Sequence, residues 1–191
     1  LDALLRVQKL ELGPEPMYVY KPRKDGNGSA MRVDLRLSPT FNAEKGFVAE
    51  VEGGLYLELA AQEGKTDGGF AKFGWGNDDT VIRAKLGMPD ILNLLLAFRE
   101  VRVCDHDIPK TLWPKMEEEG GEKAGKRMEL FHKFGKETSV ISVEFVGSGC
   151  YLRISKSKEL QRVVTLTLAE EVQFEAYLRH ALDAFHSIGM R

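Results

Sequence analysis

Alternating apolar and polar positions divide the chain into a recurring order of strands followed by a helix. Within residues 80–86, Ile82, Ala84 and Leu86 fall on one face and Val81, Arg83 and Lys85 on the other, the period of a strand. Gly87 interrupts it. Pro89 and Asp90 then suit the first turn of a helix, because proline has no amide to satisfy there and a carboxylate meets the positive end of the dipole. The following run, Ile91-Leu92-Asn93-Leu94-Leu95-Leu96-Ala97-Phe98, is apolar nearly all round, which predicts a helix covered on two sides. In a chain of 191 residues the second cover is expected to be another subunit. The run falls far short of the about 20 residues that a bilayer span needs.

The same alternation appears on either side. Met31, Val33, Leu35 and Leu37 alternate with Arg32, Asp34 and Arg36, predicting a half-buried strand with a charged outer face and a turn at Ser38-Pro39-Thr40. Residues 47–52 lead through Gly53-Gly54 into Leu55-Tyr56-Leu57-Glu58-Leu59, residues 63–69 read as a loop, and residues 70–75 as an aromatic strand. Residues 101–104 read as extended. Farther on, residues 127–134, 139–146, 150–155 and 160–168 are strand candidates. They precede a long helix, residues 170–188, in which Phe174, Leu178, Ala181, Leu182, Phe185 and Ile188 form the core stripe. Glu171, Glu175, Arg179 and Asp183 are expected to face water.

Each half thus reads as four strands and then a helix, and Gly54-Leu-Tyr-Leu-Glu-Leu59 echoes Gly149-Cys-Tyr-Leu-Arg-Ile154. The predicted fold class is α+β: a duplicated ββββα unit, two antiparallel four-stranded sheets with helices packed on one side. Residues 1–30 form a leading arm, with residues 17–20 extended and 21–28 a basic, turn-rich loop. Residues 31–188 form one domain of two repeats, 31–99 and 126–188, joined by linker 100–125. A connection of that length usually carries function or disorder. An ordered anchor is expected at Trp113 and mobility through Glu117-Glu118-Glu119.

Composition is that of an ordinary globular chain: 43% hydrophobic, 29% charged, mean hydropathy −0.26. The formal net charge of −2 and pI of about 6.2 do not announce a nucleic-acid binder, but bases concentrate between residues 123 and 162. Cys104 and Cys150 have no spacing for a disulfide framework or a zinc knuckle and read as packed thiols. Because the sequence begins at Leu1 rather than Met, a presequence upstream stays open.

Catalytic chemistry finds little footing. Gly64-Lys65-Thr66 resembles the end of a phosphate-binding loop, but Leu59 stands where that loop requires glycine. Cys104-Asp105-His106-Asp107 places adjacent ligands on opposite sides of an extended chain. The glycines of residues 69–76 lack the strand–turn–helix setting of a dinucleotide loop, and His132, His180 and His186 have no nucleophile beside them. The expectation is a non-enzyme with no catalytic residue, metal or cofactor.

Basic strand faces interleaved with aromatics suit single-stranded nucleic acid, cations tracking phosphates and rings stacking on bases. Lys21, Arg23, Lys24, Arg32, Arg36, Arg83, Lys85, Arg127, Lys133 and Arg153 are the candidate phosphate contacts; Tyr56, Phe73 and Trp75 are candidate base contacts. The plainer alternative is that these charges form the wet face of a sheet.

The two-fold ββββα plan resembles the Whirly family and, most closely, the kinetoplastid mitochondrial guide-RNA-binding proteins of the same fold. Residues 54–60 look like the glycine-led third strand of Whirlies, residues 80–98 like their strand and leucine-rich helix, and residues 160–188 like their closing strand and helix. Leu37-Ser-Pro-Thr-Phe-Asn-Ala-Glu44 is similar to a segment of the guide-RNA-binding branch. The resemblance implies a tetramer of cyclic symmetry with central helices, and a mitochondrial setting. It also implies a sheet surface that holds guide RNA by its phosphates, leaves the bases facing solvent and promotes annealing with messenger RNA in RNA editing. The Lys-Gly-Lys-Ala-Ala-Leu-Thr segment of plant Whirlies has no counterpart. The near-neutral charge departs from the RNA-binding branch and leaves a homo-tetramer, or a hetero-tetramer with a related, more basic subunit. Two alternatives stay open: an organellar or nuclear single-stranded DNA-binding protein, and an oligomeric protein-binding scaffold. No membrane partner is expected.

Overall fold

The structure, a computed structural model, describes residues 14–42, 47–77, 79–103, 127–134, 137–146, 149–157 and 159–187. Alternating sequence gives two antiparallel sheets, each leading into a helix. The first holds β1 (Met17–Lys21), β2 (Ser29–Asn42), β3 (Phe47–Lys65), β4 (Ala71–Phe73) and β5 (Val81–Leu86), followed by α1 (Met88–Val103). The second holds β6 (Arg127–Phe134), β7 (Glu137–Val146), β8 (Gly149–Ser155) and β9 (Gln161–Thr167), followed by α2 (Leu168–Ser187). The class is α+β, as the sequence predicts.

In the first sheet β1 pairs β2, β2 pairs β3, and β5 takes the far edge of β3 through Leu55↔Leu86 to Ala60↔Val81. β4 pairs the end of β3 from Gln62↔Phe73 to Lys65↔Ala71, with a register shift between Gln62 and Gly64, so this sheet has five strands where four were expected. The second sheet runs β6-β7-β8-β9 without a crossover. The inner faces of both sheets, with Ile91, Leu94 and Phe98 of α1 and Phe174, Leu178 and Phe185 of α2, form one contiguous core. Phe98 meets Phe174 edge to face at 5.8 Å, where α1 crosses α2.

Both helices start with the same device. The Gly87 N–H donates to Asp90 Oδ2 at 2.9 Å, and the Thr167 N–H donates to Glu170 Oε2 at 2.8 Å. Each carboxylate, three residues on, satisfies an amide that the helix cannot. Two glycines hold left-handed backbone where strands approach closely. At Gly53, with φ of 150°, a Cβ would lie 2.0 Å from the Arg36 carbonyl oxygen. At Gly149, with φ of 156°, it would lie 2.0 Å from the Leu166 carbonyl oxygen.

Four expectations are corrected. β2 runs on through Pro39 instead of turning there, with a register shift between Thr40 and Phe41. Beyond Val33 its outer edge is no longer paired with β1, so a residue without an N–H is tolerated. Residues 63–65 continue β3, because β4 supplies them with a partner strand. Val101 and Val103 close α1 and are not extended; β-branching disfavours helix only slightly, and an ongoing helix overrides it. Glu171 is buried, not water-facing. It precedes Phe174, Leu178, Ala181 and Phe185 at three- and four-residue steps, so it sits on the core stripe itself, at the end of the helix that favours a carboxylate. Ile188, Trp113 and the glutamate run 117–119 lie outside the described residues. Among the described residues, no helix is long and apolar enough to cross a membrane.

Candidate nucleic-acid interface

The outer face of the first sheet is built in rows fixed by strand register. One row reads Tyr18, Arg32, Glu58, Arg83 across β1, β2, β3 and β5; the next reads Asp34, Tyr56, Lys85. Alternation puts all seven on one side of the sheet, opposite the core. The register also brings two carboxylates among the arginines. Asp34 and Glu58 are 7% and 4% exposed.

They are paired tightly. Arg32 Nη2 and Arg36 Nε both donate to Asp34 Oδ2, at 2.6 and 2.7 Å. Arg36 Nη2 and Arg83 Nε donate to Glu58 Oε1, at 3.3 and 3.1 Å, and Arg32 Nη1 lies 3.8 Å from Glu58 Oε2. Burial works against the Arg36 charge, but the hydrogen bond to Asp34 and the charges of Asp34 and Glu58 outweigh it and hold its pKa above the ordinary value. Three of the candidate phosphate contacts are therefore already spoken for by two buried carboxylates.

Rings fill the spaces between. Tyr18 and Tyr20 stand parallel, 3° apart in plane and 5.9 Å between centroids. Trp75 meets Tyr18 edge-on at 6.2 Å, and Phe73 tilts against Tyr20 at 5.4 Å. The guanidinium of Arg32 sits 5.7 Å from the Tyr18 ring, and that of Arg36 sits 4.6 Å from the Tyr56 ring. Lys85 Nζ lies 6.0 Å from Tyr56. Its aliphatic stem crosses Gly54, where a Cβ would come within 2.5 Å of Lys85 Cε. Burial first, and then the neighbouring Tyr18, push the Tyr20 phenol above its usual pKa, so that phenol stays neutral near neutral pH.

The remaining candidates scatter. Lys21 is drawn to the other half of the chain, its Nζ donating to both Glu170 oxygens at 2.6 and 2.7 Å. Arg23 and Lys24 are exposed on the loop after β1, anchored where the Arg23 N–H donates to Gln62 Oε1 at 2.9 Å. Arg127 and Lys133 lie on β6, and their side chains are outside the described residues. Arg153 occupies the second sheet, between Ser142 of β7 and Val163 of β9, and its Nε is buried without a hydrogen-bond partner.

Sequence reasoning missed Tyr18 and Tyr20 as ring contacts. The signal was present, since Met17-Tyr18-Val19-Tyr20 alternates, but it lay in the leading arm. Comparison with family models, with curated proteins and with solved structures returns no match to this chain.

Proposed function

We propose that this chain binds single-stranded nucleic acid, RNA in preference to DNA, across its sheet faces, and acts as a matchmaker that anneals guide RNA to messenger RNA in mitochondrial RNA processing. The observation that carries the reading is the outer face of the first sheet, where Arg32, Arg36, Arg83 and Lys85 are interleaved with Tyr18, Tyr20, Tyr56 and Trp75. Cations follow phosphates and flat rings take bases, the combination that single strands require. The proposed architecture is a duplicated ββββα unit of Whirly type. The matching carboxylate caps at Asp90 and Glu170 support it.

The proposed assembly is a tetramer, with a second copy or a more basic relative, joined through the helices. Leu92 of α1 and Val172 of α2 support this: they stand at matching positions of the two helices and are 42% and 48% exposed. The salt-bridged state of the arginines favours a second reading, an oligomeric protein-binding scaffold whose charges are merely solvated. Filter binding with matched RNA and DNA oligomers over a range of salt separates the two. Retention of RNA with a falling log K against log salt is expected. Retention of neither oligomer at low salt refutes the nucleic-acid reading.

A further inference from the structure

The far end of the first sheet, where β4 turns back on β3, carries a ring and cations away from the strand rows. We infer that this end is a junction site: Phe70 stacks on the last base pair of a duplex, where paired strands give way to a single strand. The inference rests on the nucleic-acid reading above and adds to it the paired product of annealing.

The turn between β3 and β4 is held closed. The Thr66 N–H donates to the Phe70 carbonyl at 2.7 Å, and the Gly69 N–H donates to the Thr66 carbonyl at 2.8 Å. The Phe70 N–H donates to Thr66 Oγ1 at 3.2 Å. On this fixed turn Phe70 is 77% exposed. Unlike Tyr18 and Tyr20, it has no ring against it among the described residues. A single exposed ring is ordinary on a protein surface, but the charges around this one are not.

Arg23, Lys24, Lys65 and Lys72 gather at the same end. Gln62 clasps the loop after β1 to the end of β3. Its Oε1 accepts from the Arg23 N–H at 2.9 Å, and its Nε2 donates to the Arg23 carbonyl at 3.2 Å and the Gly64 carbonyl at 3.4 Å. A Cβ at Gly28 would lie 2.2 Å from Gln62 Oε1, so glycine lets the loop close on this side chain. The four cations are exposed, and among the described residues no carboxylate pairs with any of them. The arginines of the strand rows differ, being held by Asp34 and Glu58. The acids of the two loops are Asp67 and Asp25, and Asp25 already accepts from the Asn27 N–H at 3.1 Å.

Register sets cations on both sides of the ring. Gly64 pairs Lys72 and Lys65 pairs Ala71, so alternation places Lys72 on one face of the ribbon and Lys65 on the other, with Phe70 in step with Lys72. The end of a duplex has the matching form: one flat, uncovered base pair with a phosphate strand on either side. The ring takes the base pair and the two lysines take the strands, while Arg23 and Lys24 meet the strand that departs. A lipid surface fits less well, because stable anchoring needs more apolar area than one ring provides.

The test uses the whole chain and a short RNA duplex with a single-stranded uridylate tail, 2-aminopurine standing in the pair at the junction. Fluorescence anisotropy gives the affinities for the tailed duplex and for the tail alone. Phe70→Ser should weaken binding of the tailed duplex by roughly 5- to 150-fold, the loss of one stacked base, and leave the tail alone unchanged. It should also remove the change in 2-aminopurine emission that binding produces, and Phe70→Trp should keep both effects. Lys65→Gln with Lys72→Gln should lower the salt slope for the tailed duplex by about two. Equal affinity of Phe70→Ser and wild type for the tailed duplex, or an equal loss on both RNAs, overturns the junction site and leaves the nucleic-acid reading standing. Binding of neither RNA overturns both, whether or not phosphatidylserine vesicles are bound instead.

Discussion

Glu58 and Arg153 stand at matching places in the two sheets and carry opposite charge. Each lies four residues beyond a glycine that begins a matching stretch, Gly54 in β3 and Gly149 in β8. Each of those strands pairs with the strand that leads into a helix. Glu58 gathers Arg32, Arg36 and Arg83, whereas Arg153 has Ser142 and Val163 for neighbours. The centre of the first sheet therefore holds a carboxylate among guanidinium groups, and the corresponding place in the second holds a guanidinium.

Glu58→Gln removes the carboxylate that holds three guanidinium groups. Stability should fall by about 1–3 kcal/mol, the scale of a hydrogen bond to a charged group, as read by urea unfolding. Affinity for oligouridylate should rise and its salt dependence steepen, because the released arginines become available to phosphates. A variant that is less stable yet binds no better would show that the arginines do not face the ligand.

Arg153→Gln separates binding from folding. Its guanidinium has a buried Nε that no partner satisfies, so the variant should melt at the wild-type temperature within a degree or two. The slope of log K against log salt should fall by about one if Arg153 meets a phosphate.

The Lys21–Glu170 pair gives stability a defined acid limb. Burial alone would raise the Glu170 pKa, but hydrogen bonds from Lys21 and Thr167, with the Lys21 charge, bring it below the ordinary 4.5. A depressed carboxylate contributes stability that is present above its unfolded value and lost as pH falls through the folded one. Melting temperature should therefore drop on acidification below about pH 4.5. Glu170→Gln should lower it at neutral pH and flatten that part of the curve.

Leu92→Glu together with Val172→Glu places charge on the exposed stripe of both helices. Light scattering should report a larger mass for the wild type and a single-chain mass for the variant, with little change in monomer unfolding. A wild type that is monomeric at every concentration removes the tetramer.

How far the sequence discloses all this depends on the range of the interaction involved. The strands of the second half and α2 follow from periodicity, and α1 from its first-turn residues and apolar run, all of which are local. The alternation of residues 31–37 also places Asp34 on the face of Arg32 and Arg36 without further information. What it cannot supply is register: that Glu58 lies across from Arg32 on one side and Arg83 on the other is a property of pairing between distant segments. Counting bases along the sequence therefore overstates the positive charge this face presents. Pro39 misleads for a related reason. A proline reads as a turn until it is known that the neighbouring strand has already ended.

Arg162 of β9 donates from Nε to the Thr80 carbonyl at 3.1 Å and from Nη2 to the Asp79 carbonyl at 3.0 Å, where the chain enters β5. It thereby stitches the last strand of one half to the last strand of the other, in the same direction as the shared core beneath. Neither half can loosen without stripping the other of hydrogen bonds and apolar cover, so the halves are expected to melt together. However similar their plans, a single unfolding transition is the expected behaviour of such a body.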